Sequence, residues 1–139
     1  MTLAEIITAI RVSMNDQDTE TIDSDMMLNA LNKSIGYFNS YAEKSAPSSR
    51  LLYSSASVTS SEATISTGQP LRIVGVDVNG MSLSASSYSP YYSADTIKVR
   101  LRGPFASATT AVIKYVSGIA KLTDLTATST EYGDLDADL

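Results

Sequence analysis

The segment from Ile22 to Lys44 limits what this chain can fold into more than any other, because it is the longest stretch with a helical period. Its apolar residues recur at spacings of three and four, which places them on one face of a helix. They are Met27, Leu28, Leu31, Ile35, Phe38 and Ala42. A second, less strongly apolar face carries Met26, Ala30, Tyr37 and Tyr41. A helix that is apolar on two sides usually packs on two sides, so we expect one neighbour from this chain and another from a second copy.

A shorter helix precedes this one. Thr2 and Glu5 have the spacing of a capping box, and the apolar residues that follow predict a helix from about Leu3 to Met14. Between the helices, Asp16, Asp18 and Glu20 occupy the first, third and fifth places of a calcium loop. The glycine and the glutamate that such a loop also needs are replaced by Thr21 and Met27. We therefore favour a solvated turn over a calcium site.

After Pro47 the hydrophobic period changes to two, which is typical of strands. Alternation predicts short strands at Leu52–Val58, Ala63–Ser66, Thr96–Arg102 and Ala111–Val116. Val74, Val76 and Val78 alternate before Asn79-Gly80, a pair that favours a tight hairpin turn. Residues 84–95 are rich in serine and tyrosine, and we expect a loop there.

Charge is distributed in three blocks. The net charge is −5 over the 139 residues, with −5 in residues 1–43, +5 in residues 44–121 and −5 in residues 122–139. Acidic ends and a basic middle suit an assembly in which unlike blocks of neighbouring copies meet. The acidic total argues against a surface that binds nucleic acid throughout.

These patterns predict an α+β chain of one domain. An N-terminal antiparallel helix pair in residues 1–46 is followed by a small antiparallel β-sheet region in residues 47–121 and an extended acidic C-terminal tail in residues 122–139. No apolar run is long enough to cross a bilayer, and no basic flank precedes the first apolar residues, so we expect cytosolic synthesis without a signal peptide.

Catalysis has little support in the sequence. The chain has no cysteine and no histidine, which removes thiolate nucleophiles, the commonest metal ligand and any serine–histidine–acid triad. No phosphate-binding glycine loop or nucleophile-elbow motif is present. We expect a protein that is not an enzyme and that needs no cofactor or metal.

Two surfaces are candidates for binding. Lys98, Arg100 and Arg102 alternate along one strand, so they share a face that could be solvated, pair with an acidic segment of a neighbour or touch phosphate. Tyr88, Tyr91 and Tyr92 cluster in the serine-rich segment. Tyrosine supplies contact area with a polar tip. A protein contact is slightly favoured over the alternative that two of the three rings simply cover the sheet, and both are favoured over sugar stacking.

The order of the segments resembles the head-to-tail adaptor, or connector, proteins of tailed bacteriophages. The opening TLAEIITAIRVSMND is followed by TIDSDMMLNALNKSIGYF, in which Leu28 and Asn32 match a Leu-x-x-x-Asn pattern. A V-x-V-N-G-x-x-L hairpin then runs from Val76 to Leu83, and VIKYVSG closes the similar region. The serine-rich residues 51–67 and the acidic tail depart from the family pattern.

The resemblance implies a virion protein that forms a dodecameric ring between the portal protein and the tail tube or nozzle protein, with a lumen that passes DNA without specific binding and with no membrane contact. The implied lumen-facing acids are Asp16, Asp18 and Glu20. The implied subunit or partner contacts are Tyr37, Tyr41, Tyr91, Tyr92, Lys98, Arg100, Arg102, Asp134, Leu135, Asp136 and Leu139. Alternatives are another virion component, such as a tail terminator, decoration or fibre-attachment protein, and a small carbohydrate-binding module or hydrolase.

Overall fold

The computed structural model describes residues 2–16, 22–66, 69–93 and 96–126. The chain divides into two compact units, Met1–Phe38 with Ile119–Leu139, and Asn39–Gly118. These bounds differ from the predicted segments 1–46, 47–121 and 122–139. The part of the predicted tail from residue 127 onward lies outside the described residues.

Both helices begin where their capping residues predict. Helix α1 spans Leu3–Ser13, and the capping box is present because the amide of Glu5 donates to Thr2 Oγ1 at 3.3 Å and the amide of Thr2 donates to Glu5 Oε2 at 2.6 Å. Helix α2 spans Ser24–Ser45. Asp23 caps it by accepting a hydrogen bond from the amide of Met26 at 2.8 Å. Each cap satisfies amides that lack partners within the helix.

The first unit has its own apolar core. Leu3 of α1 and Ile35 of α2 are buried with Ile119 and Leu122 from the segment that follows the sheet. Half-buried side chains pack around these four: Ile7, Leu28, Leu31 and Phe38. The predicted apolar face of the long helix therefore supplies most of this core, as its three- and four-residue spacing requires.

The second unit is built on one seven-stranded antiparallel sheet with the order β4-β3-β7-β1-β2-β6-β5. Short 3₁₀ helices lie at Ser48–Arg50, Ala85–Ser87 and Gly103–Ser107. The strands are β1 (Leu51–Thr59), β2 (Glu62–Ile65), β3 (Pro70–Val78), β4 (Met81–Ser82), β5 (Tyr88–Ser93), β6 (Thr96–Leu101) and β7 (Thr110–Ser117).

The predicted arrangement of an antiparallel helix pair followed by a small sheet is wrong. The two helices do not form such a pair, and the sheet is large, with seven strands in the described residues. Pairing between distant segments explains the size: β7 lies between β3 and β1, with seven residue pairs on β1 from Leu51↔Val116 to Ser57↔Thr110. Local alternation reveals strands but not which distant strands will pair.

The loop expected at residues 84–95 is also wrong, because Tyr88–Ser93 forms strand β5 at one edge of the sheet. It pairs with β6 from Tyr88↔Leu101 to Ser93↔Thr96. Proline normally argues against a strand, but an edge strand tolerates it since one of its sides makes no ladder hydrogen bonds. Pro90 occupies such an edge strand.

The inner face of the sheet carries the core of the second unit. Alternate residues of the strands are buried there, as a sheet with one covered face requires. They include Ala56, Ala63, Ile65, Ile73, Val76, Val78, Ile97, Val99, Leu101, Ala111, Ile113 and Tyr115. A register shift between Ile73 and Gly75 interrupts the alternation on β3. Val74 is consequently exposed, whereas the sequence pattern grouped it with Val76 and Val78.

Candidate interaction surface

Burial alternates along β6 as the sequence pattern predicts, although the strand ends at Leu101 and Arg102 follows it. Ile97, Val99 and Leu101 are buried on the inner side of the strand, while Lys98, Arg100 and Arg102 are exposed. The three cations lie at two-residue intervals, so their side chains leave the same side of the sheet. We call Lys98, Arg100 and Arg102 the basic stripe.

Neighbouring strands place a carboxylate and an aromatic ring beside the middle cation. Glu62 of β2 lies directly opposite Arg100, and its Oε1 accepts hydrogen bonds from Arg100 Nε at 3.0 Å and Nη2 at 2.6 Å. The guanidinium carbon of Arg100 lies 5.3 Å from the centre of the Tyr91 ring on β5, within the range of a cation–π contact. The hydrogen bond that Arg100 donates to Glu62 is the main cause that raises the pKa of Arg100 above its ordinary value, and the charges of Tyr91 and Glu62 add to it.

Lys98 and Arg102, the outer cations of the basic stripe, make fewer charge interactions than Arg100. Within the part of the chain that the structure describes, no carboxylate pairs with Lys98 or Arg102, whereas Arg100 is held by Glu62. Exposed ion pairs of this kind contribute little stability. The basic stripe therefore presents unneutralised positive charge at its two ends.

The predicted tyrosine cluster does not share one face. Tyr91 lies opposite Lys98 on the outer side, whereas its neighbour Tyr92 lies opposite the buried Ile97. The hydroxyl of Tyr92 accepts a hydrogen bond from the amide of Ile73 on β3 at 3.5 Å. Tyr92 thus links two strands that are not adjacent in the sheet, while more than half of it remains exposed.

The second, less strongly apolar face of α2 is exposed to solvent. Tyr37 is 66% exposed and Tyr41 is 62% exposed, and the two are one helical turn apart. Met26 is also exposed on this face. A Cβ added at Gly36 would meet no atom within 4 Å, so none of the residues that the structure describes packs closely against the outer side of that glycine. We call Met26, Tyr37 and Tyr41 the tyrosine face.

The acids predicted to face a lumen are not all at the surface. Asp16 is only 6% exposed, and its Oδ2 accepts hydrogen bonds from Arg11 Nη1 at 2.9 Å and from the amide of Ile22 at 3.0 Å. Its carboxylate is therefore buried against Arg11 and the backbone of Ile22 and does not line a surface. Asp18 and Glu20 lie outside the described residues, as do Asp134, Leu135, Asp136 and Leu139.

Sequence reasoning missed two parts of the outer sheet surface. Glu62 was not recognised as the partner of Arg100, because the pairing of β2 with β6 cannot be read from local pattern. Tyr53 of β1 lies directly opposite Lys114 of β7, with Lys114 Nζ 5.2 Å from the ring centre. An exposed aromatic residue on an alternating strand was the available signal for that second cation–π pair.

Across residues 2–16, 22–66, 69–93 and 96–126, no group of three or more histidine, cysteine, aspartate and glutamate side chains is placed to hold a metal ion. A surface depression of about 220 Å³ near Val78 and Phe105 has only uncharged residues in its lining. None of the described helices is both long enough and apolar enough to span a membrane.

No protein-family model matches the sequence, and no curated protein matches it. Function must therefore be inferred from the surfaces of the chain itself and from the order of its motifs.

Proposed function

We propose that this chain is a structural subunit of a tailed-phage virion, which assembles with copies of itself into a ring between the portal and the tail. In this role the protein binds partners by packing and makes no covalent chemistry. The ring would leave a passage for DNA and would act in the virion after synthesis in the host cytoplasm. Its partners would be its own copies, the portal protein and the tail tube or nozzle protein.

The observation that carries the proposal is the tyrosine face of α2. Single exposed apolar residues are normal on a protein surface, but aromatic residues grouped on one helix face are typical of protein contacts. Tyr37 and Tyr41 expose most of their surface although the opposite face of the same helix is buried. A second copy is a natural occupant, since a head-to-tail contact of unlike surfaces closes into a ring.

Motif order and charge add support. The Leu28–Asn32 pattern and the Val76–Leu83 hairpin carry the resemblance to adaptor proteins, and Asn79-Gly80 forms the expected turn with positive φ angles of 51° and 77°. The net charge of −5 is compatible with passage of a polyanion that does not bind strongly.

The proposal is tested by size-exclusion chromatography with light scattering, and by negative-stain microscopy, on the full chain with and without the portal protein of the same virus. We expect rings alone or on the portal. The double variant Tyr37→Ser, Tyr41→Ser should reduce assembly at least tenfold, while Tyr53→Ser, which removes a ring of similar exposure from the sheet, should assemble normally. A chain that stays monomeric at every concentration and does not bind the portal would sink the proposal.

A different virion role is the second candidate, and the exposed basic stripe favours it. A tail terminator, decoration or fibre-attachment protein would use the outer face of the sheet as its main contact. In the same assay, loss of assembly in a Lys98→Glu, Arg102→Glu variant together with normal assembly of the α2 tyrosine variant would favour this second role.

A further inference from the structure

The basic stripe has a spacing that restricts what can bind it. Lys98 and Arg100 lie on β6, and Arg102 directly follows its end with an extended backbone (φ −124°, ψ 162°). Successive side chains of the stripe are therefore separated by roughly 7 Å along the chain. Lys98 and Arg102 have no carboxylate partner in the described parts of the chain, and Arg100 shares a single carboxylate, that of Glu62. A complementary ligand would present negative charges at the same interval.

The chain contains such a pattern near its C-terminus. Residues 131–139 read EYGDLDADL, in which Asp134, Asp136 and Asp138 alternate with the apolar residues Leu135, Ala137 and Leu139. In an extended conformation alternate residues share a face, at the same interval of roughly 7 Å. The two outer carboxylates, Asp134 and Asp138, can therefore match the two outer cations, Lys98 and Arg102, since both pairs are four residues apart. We call residues 131–139 the acidic segment.

We infer that the acidic segment of one copy lies extended along the basic stripe of a second copy. This inference rests on the self-association proposed above. Exposed ion pairs are individually weak, but neighbouring copies in a ring hold the segment at an effective concentration of about a millimolar. The contact would link the acidic C-terminal block of one subunit to the basic middle block of the next.

Nucleic acid is the competing ligand for three cations in a row. The Glu62 carboxylate lies within hydrogen-bonding distance of Arg100 and would repel a phosphate there. A peptide segment can place its carboxylates at the ends of the stripe, on Lys98 and Arg102, and leave the Arg100–Glu62 pair intact. The chain's overall charge of −5 also disfavours a polyphosphate.

Charge reversal tests the contact between copies. The stripe variant carries Lys98→Glu and Arg102→Glu, and the tail variant carries Asp134→Lys and Asp138→Lys. Each variant alone has like charges on both surfaces, so we expect no contact. In an equal mixture, the reversed tail of one protein can dock only on the reversed stripe of the other. The readout is carbodiimide cross-linking, which joins an amine to a carboxylate in contact, followed by peptide mass spectrometry.

In the wild-type full chain, prepared as a mixture of ¹⁴N- and ¹⁵N-labelled protein, we expect cross-links from Lys98 to the acidic segment with mixed isotope labels. Each charge-reversed variant should lose at least nine-tenths of them, and the mixture of variants should regain links between positions 134 or 138 and positions 98 or 102. Lys121→Glu is the control, since it reverses an exposed lysine that lies outside both the basic stripe and α2, and it should keep the wild-type links.

Three results would overturn the inference: no links at Lys98, links only between like isotopes, or a mixture of variants that stays unlinked. Binding of duplex DNA by the wild type that disappears in the stripe variant, without tail cross-links, would assign the stripe to nucleic acid instead. Light scattering on the same samples separates the two proposals. Rings without these links contradict the docking alone, whereas a monomer at every concentration contradicts the proposed assembly.

Discussion

Asn32 and Leu122 are joined by two hydrogen bonds of opposite direction although 90 residues separate them in the sequence. Asn32 Nδ2 donates to the carbonyl oxygen of Leu122 at 2.9 Å, and the amide of Leu122 donates to Asn32 Oδ1 at 2.7 Å. The side chain thus pairs with a backbone as a neighbouring strand would. This pairing fixes the segment after the sheet against α2, where Ile119 and Leu122 enter the core of the first unit.

Asn32→Ala is expected to lower the free energy of unfolding by roughly 1–3 kcal/mol, because it leaves both partly buried backbone groups of Leu122 without a partner. For a chain of this size, that corresponds to a loss of several degrees in melting temperature. Thermal unfolding followed by circular dichroism measures it. Asn29→Ala, an exposed substitution on the same helix, should change the melting temperature little. Equal stability of the two variants would contradict the structural role of Asn32.

The Arg11–Asp16 pair gives a second prediction. The two side chains are 11% and 5% exposed, and Arg11 Nη1 also donates to the carbonyl oxygen of Ile22 at 2.9 Å. Removing one member of a buried pair leaves an uncompensated charge, which costs on the order of 3–5 kcal/mol. Asp16→Ala should therefore destabilise the fold strongly in urea unfolding, with little dependence on salt because the pair is shielded from solvent.

Asp23→Ala is the comparison for that measurement. It also removes one aspartate from the same region, but it removes only a helix cap, which costs about 1 kcal/mol. If Asp16→Ala proved no more harmful than Asp23→Ala, Asp16 would be free for a surface role such as the lumen contact that the sequence suggested.

These two polar pairs also show how far sequence could predict the structure. Asn32 belongs to the Leu-x-x-x-Asn pattern, yet its partner Leu122 is 90 residues away, and no sequence pattern marks Leu122 as that partner. The polar residues around Asp16 in the sequence predict a solvated acid. Only the fold places Arg11, five residues earlier, where it can bury that carboxylate. Periodicity predicts elements, whereas partners depend on the tertiary arrangement.

In the strands, too, periodicity predicts the elements but not their partners. Alternation correctly placed Ile97, Val99 and Leu101 inside and the basic stripe outside, because one face of β6 is buried. It could not predict the register shift that turns Val74 outward, nor the edge strand that contains Pro90. It also could not predict that β7 lies between β3 and β1, since strand order depends on contacts between distant segments.

Tyr92→Phe provides a third prediction, on the link between β5 and β3. The hydrogen bond from the Ile73 amide to the Tyr92 hydroxyl is long, at 3.5 Å, so its net contribution should be at the low end of about 0.5–1.5 kcal/mol. We expect almost unchanged global stability but faster hydrogen exchange at the Ile73 amide, measured by NMR. Tyr91→Phe is the matched control, since Tyr91 lies on the other side of the strand, and it should leave exchange at Ile73 unaltered.

Two glycines give a final pair of opposite predictions. A Cβ at Gly118 would lie 2.9 Å from both Asn39 Oδ1 and Leu71 Cδ2, whereas a Cβ at Gly36 would meet nothing within 4 Å. Gly118→Ala should therefore cost roughly 1–3 kcal/mol through overpacking. Gly36→Ala, inside α2, should stabilise the isolated chain by up to about 1 kcal/mol, since alanine has the higher helix propensity. Urea unfolding of both variants measures the difference.

A Gly36→Ala variant that is more stable as a free chain but assembles poorly would indicate that a second copy packs closely on that part of α2, beside Tyr37.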